Sequence, residues 1–109
     1  MGKITRQLIE SLTPLERESA EWCYEGYRQW LEENVKEEKD AVFVTAIVTL
    51  KAQNFQDGEL EAFRSLHKKG VILDIEPDRE VGGDCHDVTL SQAIVDVHNL
   101  LAENEGMEV

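Results

Sequence analysis

"AVFVTAIVTLKAQNF", residues 41–55, is the stretch on which the fold turns. Taken with period two, Val42, Val44, Ala46, Val48 and Leu50 line one apolar face, and six of the ten residues in 41–50 are β-branched, which favours a strand. Taken with helical spacing, Phe43, Ile47, Leu50 and Asn54 align, with Val44, Val48 and Phe55 beside them, giving a central helix apolar nearly all round. The flanks favour the helix: no Gly or Pro occurs between Tyr27 and Asp57, "VKEEKD" is helix-forming, and Asn34 or Asp40 can end one helix and cap the next.

The segment upstream is plainer. Thr13 before Pro14 marks a helix start, with glutamates in the first turn. Leu15, Ser19, Trp22, Cys23, Gly26, Tyr27, Trp30 and Leu31 recur at steps of three and four, with charged residues between them. This predicts an amphipathic helix from Pro14 to about Glu33, preceded by a short helix that lays Ile4, Leu8 and Ile9 on the same core. Downstream, "DGELEAFRSLHKKG" predicts a helix with Asp57 as its cap, His67, Lys68 and Lys69 in its last turn and Gly70 as a left-handed terminator. "VILDIEP" alternates Val71, Leu73 and Ile75 against Ile72, Asp74 and Glu76, as one short strand or an extended segment would. Thr89 and Gln92 have the spacing of a capping box for a last helix carrying Leu90, Ile94, Val97 and Leu101.

These segments predict a mainly α fold: a small bundle of four to five helices with room for one short extended segment, residues 1–109 forming a single acidic helical domain. The alternative is α+β, with strands at 41–50 and 71–76. The length of 109 residues suits one modest core.

Charge is the main compositional signal, with 23 acids against 11 bases, formally −12. From Asp74 onward ten acids face one base, Arg79, a net of −9 that leaves −3 for residues 1–73. A field of that sign repels nucleic acid and anionic membranes and attracts basic surfaces. The longest apolar run, "AVFVTAIVTL", is about half of the roughly 20 residues a membrane-spanning helix needs. The N-terminus has no cationic stretch leading into an apolar core, so a cytoplasmic location with free thiols at Cys23 and Cys85 is expected.

"EPDREVGGDCHD", residues 76–87, concentrates the candidate chemistry. Zinc needs four ligands, usually arriving as two pairs, whereas Cys85 and His86 are one adjacent pair with no second pair near them. As a calcium loop the stretch starting at Asp74 fails, with Arg79 where a glycine belongs and Cys85 in place of a bidentate Glu. A thiolate at Cys85 is disfavoured by the surrounding carboxylates. Gly82 and Gly83 lack the following helix and lysine of a phosphate cradle. Neither a catalytic residue nor a metal ligand nor a cofactor is therefore expected.

What remains is acidity and an aromatic stripe. The expected function is a non-catalytic acidic interaction module or inhibitor that binds the basic surface of a partner protein, as a nucleic-acid mimic would. The residues expected to make the contact are Asp74, Glu76, Asp78, Glu80, Asp84 and Asp87, with Trp22 and Trp30 as a hydrophobic anchor or homodimer surface. The alternative is a metal- or small-ligand-binding protein using Cys85, His86 and His98. If neither holds, "EPDREVGGDCHD" is a solvated connector between two helices.

Overall fold

The computed structural model describes residues 4–34 and 47–106. Within them run α1 (Arg6–Glu10), α2 (Pro14–Asn34), β1 (Val48–Ala52), α3 (Glu59–Lys68), β2 (Asp74–Pro77), β3 (His86–Leu90) and α4 (Ala93–Gly106). The strands form one antiparallel sheet in the order β1-β3-β2. The fold is α+β, and the expectation of a mainly α bundle is corrected.

The correction lies in the stretch that divided the two readings. Val48 and Ala52 are buried, Thr49 and Lys51 exposed, so period two prevails over helical spacing. Ile47, which the helical reading places inside, is 62% exposed, and Asn54 takes a left-handed backbone with φ 60° that ends regular structure. Residues 35–46, including Asp40 and the first part of the 41–50 strand of the alternative, lie outside the described residues.

β1 persists as a strand because β3 pairs with it, Val48 opposite Leu90, Leu50 opposite Val88 and Ala52 opposite His86. That partner comes from the end of the acidic stretch, whose alternation of buried His86, Val88 and Leu90 with part-exposed Asp87 and Thr89 is short and half polar. Thr89 is therefore not the cap of the last helix, and Leu90 belongs to the sheet. α4 starts at Ala93, whose N–H is 3.4 Å from the Ser91 hydroxyl, while Ile94 donates to the Ser91 carbonyl at 3.1 Å.

The other helix ends follow local rules more closely. Thr13 and Glu16 form a reciprocal capping box: Glu16 N–H donates to the Thr13 hydroxyl at 3.1 Å, and Thr13 N–H to the Glu16 carboxylate at 2.8 Å. Gly70, at φ 84°, terminates α3, with Val71 N–H reaching back to the Leu66 carbonyl at 2.9 Å. Asp57 is not the cap of α3. That position falls to Gly58 at φ 84°, and the Glu59 carboxylate instead accepts the Gln56 N–H at 2.6 Å.

The core fills the space between the helices and one face of the sheet. Cys23 and Tyr27 of α2, Phe63 and Leu66 of α3, and Ile94, Val97 and Leu101 of α4 meet Val48, Val88 and Leu90 there, with Ile9, Val71 and Ile72. Burial pushes the Cys23 thiol up to about 12, in keeping with a core position. The apolar surface withdrawn from water dominates stabilisation, and an Ile94→Ala change would cost about 2–5 kcal/mol. The opposite face of the sheet carries Thr49, Lys51, Asp74, Glu76, Asp87 and Thr89, and is exposed or half-buried. Among the described residues no helix is long and apolar enough to cross a membrane.

Candidate interaction surface

Residues 76–87 comprise the end of β2, the connection 78–85 and the start of β3, and carboxylates hold that connection in shape. Asp78 is buried. Its Oδ1 accepts the N–H groups of Glu80 at 2.9 Å and Val81 at 3.1 Å, and its Oδ2 meets the Lys51 ammonium. Gly82 and Gly83, at φ 77° and 62°, turn the chain so that Gly82 N–H reaches the Asp78 carbonyl at 3.0 Å, while Asp78 N–H reaches the Cys85 carbonyl at 2.9 Å. The Lys51 ammonium and the two amides hold the Asp78 carboxyl far below the usual range, and Asp78 and Asp87 in turn push the Lys51 amine up.

Asp84 ties this connection to the end of β1. It accepts the Phe55 N–H at 2.9 Å, and the Asn54 and Phe55 amides lower its carboxyl. Its carbonyl is 2.7 Å from His86 Nδ1; a carbonyl only accepts, so that nitrogen carries the proton. The His86 ring packs edge-on to Phe55 at 5.6 Å. Burial, then the Asp78 charge, pushes the Cys85 thiol up, which makes it a poor nucleophile.

His98 has other neighbours. Its Nδ1 is 2.9 Å from a Glu21 carboxylate oxygen, and its ring stacks on Tyr24 at 3.7 Å, nearly parallel. The structure thus places Cys85 and His86 at the start of β3 and His98 against α2. Among the described residues no group of three or more His, Cys, Asp or Glu side chains is arranged to hold a metal ion.

The remaining carboxylates meet on the outer sheet face. Directly opposed residues share a face, so Thr49, Thr89 and Asp74 form one cross-strand row and Lys51, Asp87 and Glu76 the next. Lys51 bonds Asp87 at 3.2 Å and also serves Asp78, whereas Glu76 faces Asp87 as a like charge. Asp74 is 3.9 Å from His67 Nε2. Among the described residues the Glu76 and Glu80 carboxylates have no ion-pair partner. Lys51 is the residue that sequence reasoning missed; its signal was a lone base at a solvent-facing position of an alternating strand.

Trp22 and Trp30 lie at the flank of α2, 45% and 37% exposed, while its buried line runs through Ser19, Ala20, Cys23 and Tyr27. Trp22 stands edge-on to Phe63 at 5.8 Å. Of the eight residues expected to contact a partner, Asp78 and Asp84 are bound into the turn and Asp87 is paired. Asp74, Glu76 and Glu80 are the acids left for a partner, with the two tryptophans on another surface.

The chain matches no protein-family model, no curated protein and no solved structure.

Proposed function

We propose that this protein is a non-catalytic acidic interaction module that binds the basic surface of a partner protein, including one shaped to hold nucleic acid. The observation that supports this most is the outer row in which Glu76 stands directly opposite Asp87 with Asp74 on the same face, while Lys51 bonds Asp87 and Asp78 and leaves Glu76 without a cation among the described residues. Like charges opposed across strands destabilise a sheet, and a cationic partner would relieve that repulsion. Exposed carboxylates of this kind steer encounter more than they hold a complex, and Trp22 supplies apolar area where one is held.

The test begins with the protein partner recovered by the intact chain from its host, followed by titration at rising salt. Binding should weaken steeply, since exposed charges act over a Debye length of only about 8 Å at physiological ionic strength. Changing Asp74, Glu76 and Glu80 together to Lys should slow association, leaving the turn built on Asp78 and Asp84 intact. A partner that binds equally well at high salt and tolerates the triple reversal would show that the acidity serves solubility alone.

A further inference from the structure

α2 runs beside β1, and two hollows lie in the groove between them, with Trp22 lining both and so forming the wall that separates them. The hollow toward the end of α2, about 270 Å³, has Gly26, Gln29 and Leu50 with one acid, Glu25, and one base, Lys51. Glu25 is already paired with Arg28 at 3.2 Å, so this hollow has no charge preference. The other, about 260 Å³, has two acids, Glu18 and Glu59, and no base among the described residues. It lies away from where residues 35–46 join the described chain. Ser19 stands fifteen residues of helix before Asn34, about 22 Å, and Ala52 five residues of strand past Ile47, about 17 Å.

The walls of this hollow are aromatic. Buried Phe63 stands edge-on to Trp22 at 5.8 Å and to Phe55 at 5.4 Å, so neither pair is stacked face to face. Such rings accept a flat apolar body, and their faces attract cations. A cavity of about 150 Å³ takes up benzene. At about 260 Å³ this one has room for a ring with a short arm, and the four-carbon stem of a lysine would leave much of it unfilled.

Its polar groups want N–H donors. Glu18 has no hydrogen-bond or ion-pair partner among the described residues, and the Glu59 carboxylate accepts the Gln56 N–H but meets no cation there. Ser19 is only 4% exposed, yet its hydroxyl has no hydrogen-bond partner among the described residues. A buried hydroxyl left unpaired is costly, and a donor arriving in the hollow would satisfy it. A primary ammonium brings three N–H groups and the charge that carboxylates and ring faces both attract.

We infer that the hollow walled by Trp22, Phe55 and Phe63 binds a small primary amine with an aromatic body, its ring against these side chains and its ammonium on Ser19 and the two carboxylates. This site is separate from the outer sheet face and takes a free small molecule, not a partner protein. The test uses the full chain with Trp30→Phe, so that Trp22 is the sole tryptophan, and is repeated on the unchanged chain by calorimetry. The probe is phenethylamine, and a saturable change in Trp22 emission is expected. Phenethyl alcohol, which keeps the ring without the charge, and butylamine, which keeps the charge without the ring, should each bind about tenfold more weakly or less. Ser19→Ala should weaken phenethylamine about tenfold by removing a hydrogen bond to a charged group, while the melting temperature stays level or rises, since no partner within the chain is lost. Glu18→Gln should weaken it about threefold, as an exposed ion pair would, with the far-ultraviolet circular dichroism unchanged. No saturable change by either method overturns the proposal. So does equal affinity for the alcohol, which would make the hollow merely apolar, or for butylamine, which would make it a seat for a lysine side chain.

Discussion

The turn from Asp78 to Asp84 and the outer row through Glu76 and Asp87 are built from the same residue type within one stretch of chain, yet they do opposite things. In the turn, the Asp78 and Asp84 carboxylates meet backbone N–H groups, and Asp78 the Lys51 ammonium as well, so that their charge stabilises the fold. On the face, Glu76 meets Asp87 and its charge opposes the fold. Acidity is therefore not one property of this protein: a carboxylate belongs to the architecture where donors converge on it and to the surface where they do not.

Asp78→Ala should give the largest loss of stability in the series, because it strands the Glu80 and Val81 amides and removes a partner of Lys51. A melting temperature equal to that of the parent would erase the distinction between the two regions. Glu16 extends the rule to α2: it is buried, closes the capping box and pairs with Lys69 at 3.1 Å. Glu16→Ala should cost about 2 kcal/mol by urea denaturation, most of it from the lost cap and the lost hydrogen bonds.

Acid should act on the same carboxylates. Burial alone would push the Glu16 carboxyl up, but the Ser65 hydroxyl, the Thr13 N–H and Lys69 outweigh it and leave it below the ordinary 4.5. Asp78 and Asp84 also lie below their ordinary 3.8, through Lys51 and the backbone amides respectively. Each group takes up its proton at lower pH when folded than when unfolded, so its contribution is fully present above the ordinary values and is lost as pH falls through the folded ones. Thermal melts from pH 6 down to pH 2 should show that decline, and Asp78→Asn should flatten it.

The smallest effect should fall on the outer row. Glu76→Lys places a cation opposite Asp87 and should stabilise the chain by about 0.5 kcal/mol in urea. A loss of stability instead would mean that Glu76 belongs with the structural carboxylates, and the comparison would fail from the other side.

Much of the helical part was legible because its rules are local. Thr13 and Pro14 mark the start of α2, Gly70 ends α3, and the steps of three and four through Cys23 and Tyr27 identify the buried line. The tryptophans were legible as a stripe but not as a groove wall, since the hollows beside Trp22 need β1 to close them. The site in residues 76–87 was legible as an acidic concentration and nothing finer.

The amino-acid sequence by itself determined the charge, the capped helices and an alternation at 48–52 that suited either of two folds. Tertiary structure chose between them, because a strand needs a partner and this one lies about forty residues on, Thr49 meeting Thr89 across the sheet. It also decided which acids are structural. Asp78 finds Lys51 at a separation of 27 residues and Asp84 finds the Phe55 amide at 29, and no local pattern specifies which donor will arrive beside a carboxylate once the chain has folded. That dependence on distant partners is the physical reason "EPDREVGGDCHD" reads in the sequence only as an acidic surface or, failing that, a solvated connector, and stands in the fold as the end of β2, a braced turn and the first residues of the central strand.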